Sequence, residues 1–302
     1  MQLQPTPTVR AGIVNALTVD VEDYFQVAAF ESNIHREQWG SIPCRVEDNT
    51  NRVLDLFAEQ GAKGTFFVLG WVAERHPRLV RRIAAEGHEL ASHGYDHVRI
   101  HEFDREQLRE DLLRTRGILE GIAGVEVIGY RAPSYSIGER NLWALDVVQE
   151  VGHVYSSSIY PIRHDLYGMP DAPRFPFRLR PGAILEIPVT TLRVVGRNLP
   201  CGGGGYFRLV PYPLYLWAMR RVNATDRQPG MFYFHPWEID PDQPRIAGAS
   251  VRSRFRHYTN LGTMEQRLRR LLSDFRWGRM DEVFRVHTAE VAVFDPYSRG
   301  TA

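Results

Sequence analysis

The chain has 302 residues, enough for one large α/β domain or two smaller ones. Hydrophobic residues make up 43% and charged residues 24%, and 37 Lys+Arg against 36 Asp+Glu leave a formal charge of +1. That balance argues against a general binder of nucleic acid or of anionic membranes, and two cysteines, Cys44 and Cys201, allow one disulfide at most and no CxxC zinc pattern.

The opening "MQLQPTPTVRAG" lacks the basic-then-apolar pattern of a leader, and no run approaches the roughly 18 apolar residues of a membrane span. A cytoplasmic protein without a transmembrane segment is expected. Gly12 to Val21 is strand-like, and Val46 to Gln60 is a helix with Val53, Leu54 and Phe57 on one face and Gly61 as its stop. "GTFFVLG" (64–70) is a short buried strand, Trp71 to Glu86 a helix closed by Gly87, and "HELASH" (88–93) a brief strand. Asp104 caps a helix whose apolar face is Leu108, Leu112 and Leu119. "VEVIGYR" (125–131) reads as a strand and Glu139 to Val151 as a helix. "PIRHDLYGMPDAPRFPFRLRPG" is a long surface excursion. The stretch "VRSRFRHYTNLGTMEQRLRRLLSDF" is a basic amphipathic helix that packs back on the rest. Strands alternating with helices predict a parallel sheet, and seven or eight such units favour a barrel with functional residues at its strand ends.

The first strand runs into Asp20, Glu22 and Asp23, a cluster that is costly to bury without partners. "SHGYDH" sets His93 and His97 four apart, which on a helix turn places both on one face. Two imidazoles and one carboxylate form a divalent-metal set with open positions. Asp96 lies between them as a further candidate. "GYRAPSY" supplies Arg131, and "MFYFHPWE" (231–238) supplies His235. Each piece alone has an ordinary reading: an acidic turn or cap, a chance histidine pair, a surface arginine, a core histidine. Their order and spacing together carry the weight. "PCGGGGY" (200–206) is not followed by GK[ST], so it reads as a close backbone approach rather than a phosphate loop.

With these residues in hand, the chain resembles the polysaccharide deacetylase family, the NodB-homology carbohydrate esterases. Their motifs are an acidic pair after a strand, H[ST]xxH, an RxP segment and a late strand ending in histidine. The most specific match is "TFFVLGWVAERHPRLVRRIAAEGHELASHGYDH" (65–97). "TVDVEDYFQVAAFE", "YRAPSYSI", "GGGGYFRL" and "YTNLGTMEQRLRRLLSDF" resemble the branch that accompanies exopolysaccharide gene clusters of the exosortase type. The resemblance covers about residues 12 to 296. It implies a distorted (β/α)7-type barrel as the catalytic domain over 12–245, with a helical C-terminal extension packed on it over 246–296.

The resemblance further implies a metal-dependent hydrolase that removes N-acetyl groups from the N-acetylhexosamine units of a polysaccharide. Asp20 is then the general base, Arg131 the group that aims it, and His235 the general acid. Glu22, His93 and His97 hold the metal, with Asp23 as the fallback ligand. Zinc is expected first, and iron, cobalt or nickel would suit the same donors. Tyr135, Trp237 and Tyr206 are candidates for sugar contacts, and a backbone N–H in the Tyr135 region for the oxyanion. The expected partner is an N-acetylated glycan. Lipid linkage and a peripheral contact at the inner membrane face are compatible with this, and the oligomeric state is open. Three positions depart from the family pattern. Asp20-Val21-Glu22 replaces adjacent aspartates, with strand alternation setting Asp20 and Glu22 on the same side. Gly94 stands where many members have Ser or Thr. Ser156 stands where an Asp is expected, so either Ser156 or another carboxylate must orient the acid histidine. The alternatives are a cyclic amide or imide hydrolase, a non-catalytic glycan-binding or assembly protein on the same fold, and an iron oxygenase, against which the βα scaffold argues.

Overall fold

The computed structural model describes residues 12–164 and 167–296. Its strands are β1 (Val14–Val21), β2 (Thr65–Val68), β3 (Glu89–Ser92), β4 (Gly129–Tyr130), β5 (Tyr155–Ser156), β6 (Phe177–Arg178), β7 (Leu185–Glu186), β8 (Thr191–Val194), β9 (Arg197–Pro200), β10 (Met231–Phe234), β11 (Arg276–Gly278) and β12 (Ala292–Val293). Its α-helices are α1 (Val46–Glu59), α2 (Gly70–Arg75), α3 (Pro77–Ala85), α4 (Arg105–Ala123), α5 (Ala144–Glu150), α6 (Gly204–Leu209), α7 (Tyr212–Arg221), α8 (Val251–Tyr258), α9 (Leu261–Asp274) and α10 (Met280–Val283).

Seven strands run parallel in the order β10-β1-β2-β3-β4-β5-β7, and β6, antiparallel to β7, carries the sheet on to β12. Between β7 and β10 the circuit is completed by bonds outside the strands. The Met231 N–H donates to Thr190 Oγ1 at 2.6 Å, and the Tyr233 N–H donates to the Gly202 carbonyl at 2.8 Å. The fold is thus the distorted, barrel-like α/β architecture expected from the sequence. β2 is buried along its whole length and β1 from Asn15 on, which is why "TFFV" reads as an unbroken run rather than an alternating one. Helices cover the outside: Val53, Leu54 and Phe57 of α1 and Leu108, Leu112 and Leu119 of α4 are all buried. Asp104 caps α4, accepting the Gln107 N–H at 2.9 Å while Gln107 returns a bond to the Asp104 N–H.

Four sequence expectations are corrected by local chemistry. The helix expected over 71–86 is two, because Pro77 lacks an N–H and starts α3 afresh after His76. The basic C-terminal helix is also two, α8 and α9, separated at Asn260, whose φ of 59° is left-handed. The strand expected over 125–131 shrinks to Gly129–Tyr130. The helix expected over 139–151 is a 3-10 turn, Glu139–Asn141, followed by α5. Cys44 is exposed, Cys201 is buried, and both are free.

Candidate active site

The parallel register brings the chemistry to one end of the sheet. Asp20 lies opposite Phe67 of β2, and Val19 opposite Phe234 of β10, the residue before His235. Ser92 pairs with Tyr130, so the next residues, His93 and Arg131, leave β3 and β4 side by side. The carboxyl ends of β1, β3, β4 and β10 therefore deliver Asp20, Glu22, His93, Arg131 and His235 into a common space, as barrels of this class do.

Arg131 is fully buried. Its guanidinium donates to Asp20 Oδ1 at 2.5 Å, Thr18 Oγ1 at 2.9 Å, the Ser157 carbonyl at 3.2 Å and Ser157 Oγ at 3.2 Å, and it stacks 3.9 Å above the Phe67 ring. This is an ion pair with its spare donors satisfied, the condition under which a buried pair holds its geometry. It fixes the Asp20 carboxylate, leaving Oδ2 at 4.0 Å from His235 Nε2.

Glu22, His93 and His97 gather their donor atoms within 4.8 Å of one another, and all three side chains are buried. Glu22 Oε2 lies 2.9 Å from His97 Nε2. His93 Nδ1 is 2.8 Å from the Arg131 carbonyl, a bond that places the proton on Nδ1 and turns the lone pair of Nε2 to the cluster. The two histidines do not share a helix face, as the spacing predicted. They sit on a loop after β3, brought together by left-handed backbone at Gly94 (φ 75°) and His97 (φ 59°). The same conformation accounts for Gly94 in place of Ser or Thr, since a Cβ there would be strained and would lie 3.2 Å from Asp111 Oδ2. Asp111 itself accepts the Tyr95 N–H at 3.2 Å, so this carboxylate of α4 braces the loop.

Asp23, the fallback ligand, is corrected: its carboxylate is committed elsewhere. Oδ1 accepts the Tyr24 N–H at 2.8 Å. Oδ2 accepts the N–H groups of Arg45 at 2.6 Å and Val46 at 2.9 Å, and the Cys44 thiol at 2.9 Å. It closes the N-terminus of α1 from a distance. Asp96 is likewise outside the donor cluster.

His235 is the accessible member, with a fifth of its side chain exposed. Its Nδ1 lies 2.9 Å from Glu238 Oε1, and Arg208 of α6 donates to Glu238 Oε2 at 2.7 Å. Glu238 is the carboxylate that orients the histidine, and sequence reading missed it although it stands three residues on in "HPWE". Of the two alternatives, Ser156 or another carboxylate, the structure has the second: Ser156 donates instead to Ser158 Oγ at 2.8 Å. Gly204 of the glycine run is needed here, because a Cβ would fall 2.4 Å from Glu238 Oε1. Trp237 is not an open platform: it is buried, stacked between His235 (5.1 Å) and His257 (4.0 Å). Tyr135 is also buried, and its N–H donates to the Ala132 carbonyl at 3.0 Å. Tyr206, in α6, is half-buried.

Charge sorts these groups. Burial alone would raise the Glu22 carboxyl, but the imidazoles of His97 and His235 hold it down at about 2. Burial pushes His93 down to about 4, which keeps it neutral and fit to ligate. Burial would lower His235 as well, yet Glu22, Glu238 and Asp20 outweigh it and raise the imidazole to about 9. For Glu238, burial is outweighed by Arg208 and His235, which hold it at about 2. One ionised carboxylate cluster and one protonated histidine thus face each other near neutral pH.

Residues 39–155 match the polysaccharide deacetylase family model and residues 157–285 a domain of unknown function. A peptidoglycan-N-acetylglucosamine deacetylase of Bacillus cereus is 36% identical over 98 residues, which is 32% of this chain and 36% of that protein. A chitooligosaccharide deacetylase of Rhizobium leguminosarum bv. trifolii is 42% identical over 66 residues, 22% of this chain and 31% of that one. The chain spans about a third of the length of these curated relatives. A crystal structure of a Mycobacterium smegmatis protein, assigned provisionally to the polysaccharide deacetylases, superposes with a TM-score of 0.61 at 21% identity, covering 97% of this chain and 98% of that one, and so shares the fold. Residues 39–155 thus carry the match to the polysaccharide deacetylase domain, and residues 157–285 the match to the domain of unknown function.

Proposed function

We propose that the protein is a metal-dependent hydrolase that removes N-acetyl groups from N-acetylhexosamine units of a glycan, within exopolysaccharide synthesis or modification. The observation that supports this most is the convergence of Glu22, His93 and His97 beside the Asp20–Arg131 pair and His235. Two imidazoles, one with its tautomer fixed by the Arg131 carbonyl, and one ionised carboxylate fit a divalent cation, zinc first among them. Such a cation, when bound, polarises an acyl carbonyl and lowers the pKa of a water beside it.

The chain's own groups do the proton work. Asp20, fixed by Arg131, takes a proton from the attacking water as general base. His235, held as imidazolium by Glu22, Glu238 and Asp20, gives a proton to the leaving amine. Acetate and a free amino sugar are the products. The names of the relatives, which act on peptidoglycan N-acetylglucosamine or chitooligosaccharides, support a glycan bearing N-acetylglucosamine. A lipid-linked glycan fits the same chemistry, because the reacting group is the acetamide and not its anchor. The test is acetate release from N-acetylglucosamine oligomers by the metal-loaded protein. Asp20→Asn is expected to lower kcat by about 10²- to 10⁴-fold. Equal release by the two proteins, or none by either on any N-acetylated glycan, would sink the proposal.

A further inference from the structure

His235, Glu238 and Arg208 all fall within residues 157–285, the stretch matched to a domain of unknown function. Glu238 faces two ways. Its Oε1 accepts the backbone N–H of His235 at 3.1 Å and the ring Nδ1–H at 2.9 Å. Its Oε2 accepts Arg208 Nε at 2.7 Å, and the side chains of this ion pair are 2% and 1% exposed. With Nδ1 so engaged, Nε2 is the ring nitrogen turned to the site, 3.5 Å from Glu22 Oε1 and 4.0 Å from Asp20 Oδ2.

Arg208 is itself fixed from the far side. Its Nη1 donates to the His257 carbonyl at 3.1 Å and to the Thr259 carbonyl, and its Nη2 donates to the Arg256 carbonyl at 3.1 Å. These carbonyls lie at the C-terminal end of α8 and just past it. A helix leaves oxygens there without intrahelical donors, and they carry partial negative charge. The main chain of Arg208 is pinned as well, its carbonyl accepting Asn260 Nδ2 at 2.8 Å and Arg267 Nη1 at 2.9 Å. Closing the end of α8 uses the two terminal nitrogens of the guanidinium and leaves Nε free, and Nε is the atom spent on Glu238. The rigid fork thus ties a helix end to a carboxylate, a geometry that a lysine ammonium does not reproduce.

We infer that Arg208 is a positioning residue for proton delivery: anchored on the end of α8, it holds Glu238, and Glu238 holds the Nδ1–H of His235 so that Nε2 is aimed at the leaving group. The Nε2 proton passes to the amine nitrogen as the bond from that nitrogen to the acyl carbon breaks. This rests on the proposed deacetylase reading and deepens it, giving residues 157–285 the task of supplying the leaving-group proton. Such an arm matters in proportion to the basicity of the leaving group. An amine needs the proton, and a nitrophenolate departs without it.

The test compares two substrates of the metal-loaded full chain, the N-acetylglucosamine tetramer and 4-nitrophenyl acetate. Arg208→Lys is expected to lower kcat on the tetramer by about 10- to 100-fold, with KM within about twofold, and to leave the ester rate within about threefold. Glu238→Gln is expected to show the same contrast. The double variant is expected to lose no more than the worse single one, because the two side chains act as a unit. Arg267→Met loosens the end of α6 through main-chain bonds without touching Glu238, and is expected to affect both substrates alike. An equal loss on tetramer and ester by Arg208→Lys or by Glu238→Gln overturns the inference and leaves Arg208 as a helix cap. So does unchanged turnover of the tetramer, and so do losses that add in the double variant. A failure of the deacetylase reading appears separately, as absent acetate release from the tetramer by the unsubstituted protein.

Discussion

Glu22 and Asp23 are chain neighbours of the same chemistry with opposite fates. Glu22 meets imidazoles and Asp23 meets backbone N–H groups, and only the turn after β1, where the Glu22 N–H bonds back to the Asp20 carbonyl at 3.0 Å, decides which faces which. The sequence offered both as ligands and could not rank them beyond strand alternation. The distinction is testable. Glu22→Gln is expected to strip most of the metal from dialysed protein, read by elemental analysis, with little change in stability. Asp23→Asn is expected to keep its metal and lose about 1–2 kcal/mol in urea unfolding, the cost of a weakened helix cap. The reverse pattern would return Asp23 to the metal. Asp20, Arg131, His93, His97 and His235 were legible because each belongs to a short motif at a strand end. Glu238 was not singled out, since a carboxylate three residues after a histidine acquires meaning only when the 3-10 turn Pro236–Ile239 folds it back.

At the scale of elements, helices and strands were found by periodicity, and their breaks were set by single residues such as Pro77 and Asn260. The α4–β4–α5 layer carries a charge effect that sequence does not show. His153, which follows α5, is 3% exposed with its ring 5.8 Å from Tyr130. Burial, aided by Arg116, pushes it down to about 4. The unfolded chain binds this proton near the ordinary value of about 6.5, so the folded state binds fewer protons between those values. Stability contributed by the neutral imidazole is present above about 6.5 and is lost as pH falls toward 4. His153→Phe removes the titrating group and keeps a ring against Tyr130. The stability of the wild type relative to this variant is expected to drop by up to about 3 kcal/mol between pH 7 and pH 4 in urea unfolding. A difference that stays constant with pH would show that the histidine does not titrate as described.

At the scale of the whole molecule, the C-terminal part is built into the sheet. β11 pairs with the start of β1, and the Met280 N–H donates to Thr65 Oγ1 at 2.8 Å, with Met280 and Val286 in the core beneath the barrel. Burial of side chains of this size stabilises by about 1.5–3 kcal/mol each, against a total of about 5–15 kcal/mol for a domain. A chain ended at Phe275 is therefore expected to lose its cooperative thermal transition. A truncated protein melting within a few degrees of the full chain would show that the segment only decorates the surface. The support of His235 reaches as far: Glu238 from the same turn is held by Arg208 of α6, which is in turn bonded to the carbonyls of Arg256 and His257 in α8, each at 3.1 Å. The sequence by itself determined the βα alternation, the strand ends that carry charge, and the residue types that gather as Glu22, His93 and His97, because periodicity and spacing are local properties. Tertiary structure alone decided which carboxylate meets the histidines, that Arg131 pairs with Asp20, and that Arg208 holds the carboxylate beside His235. Those are distances between segments far apart in the chain, and no local pattern encodes them.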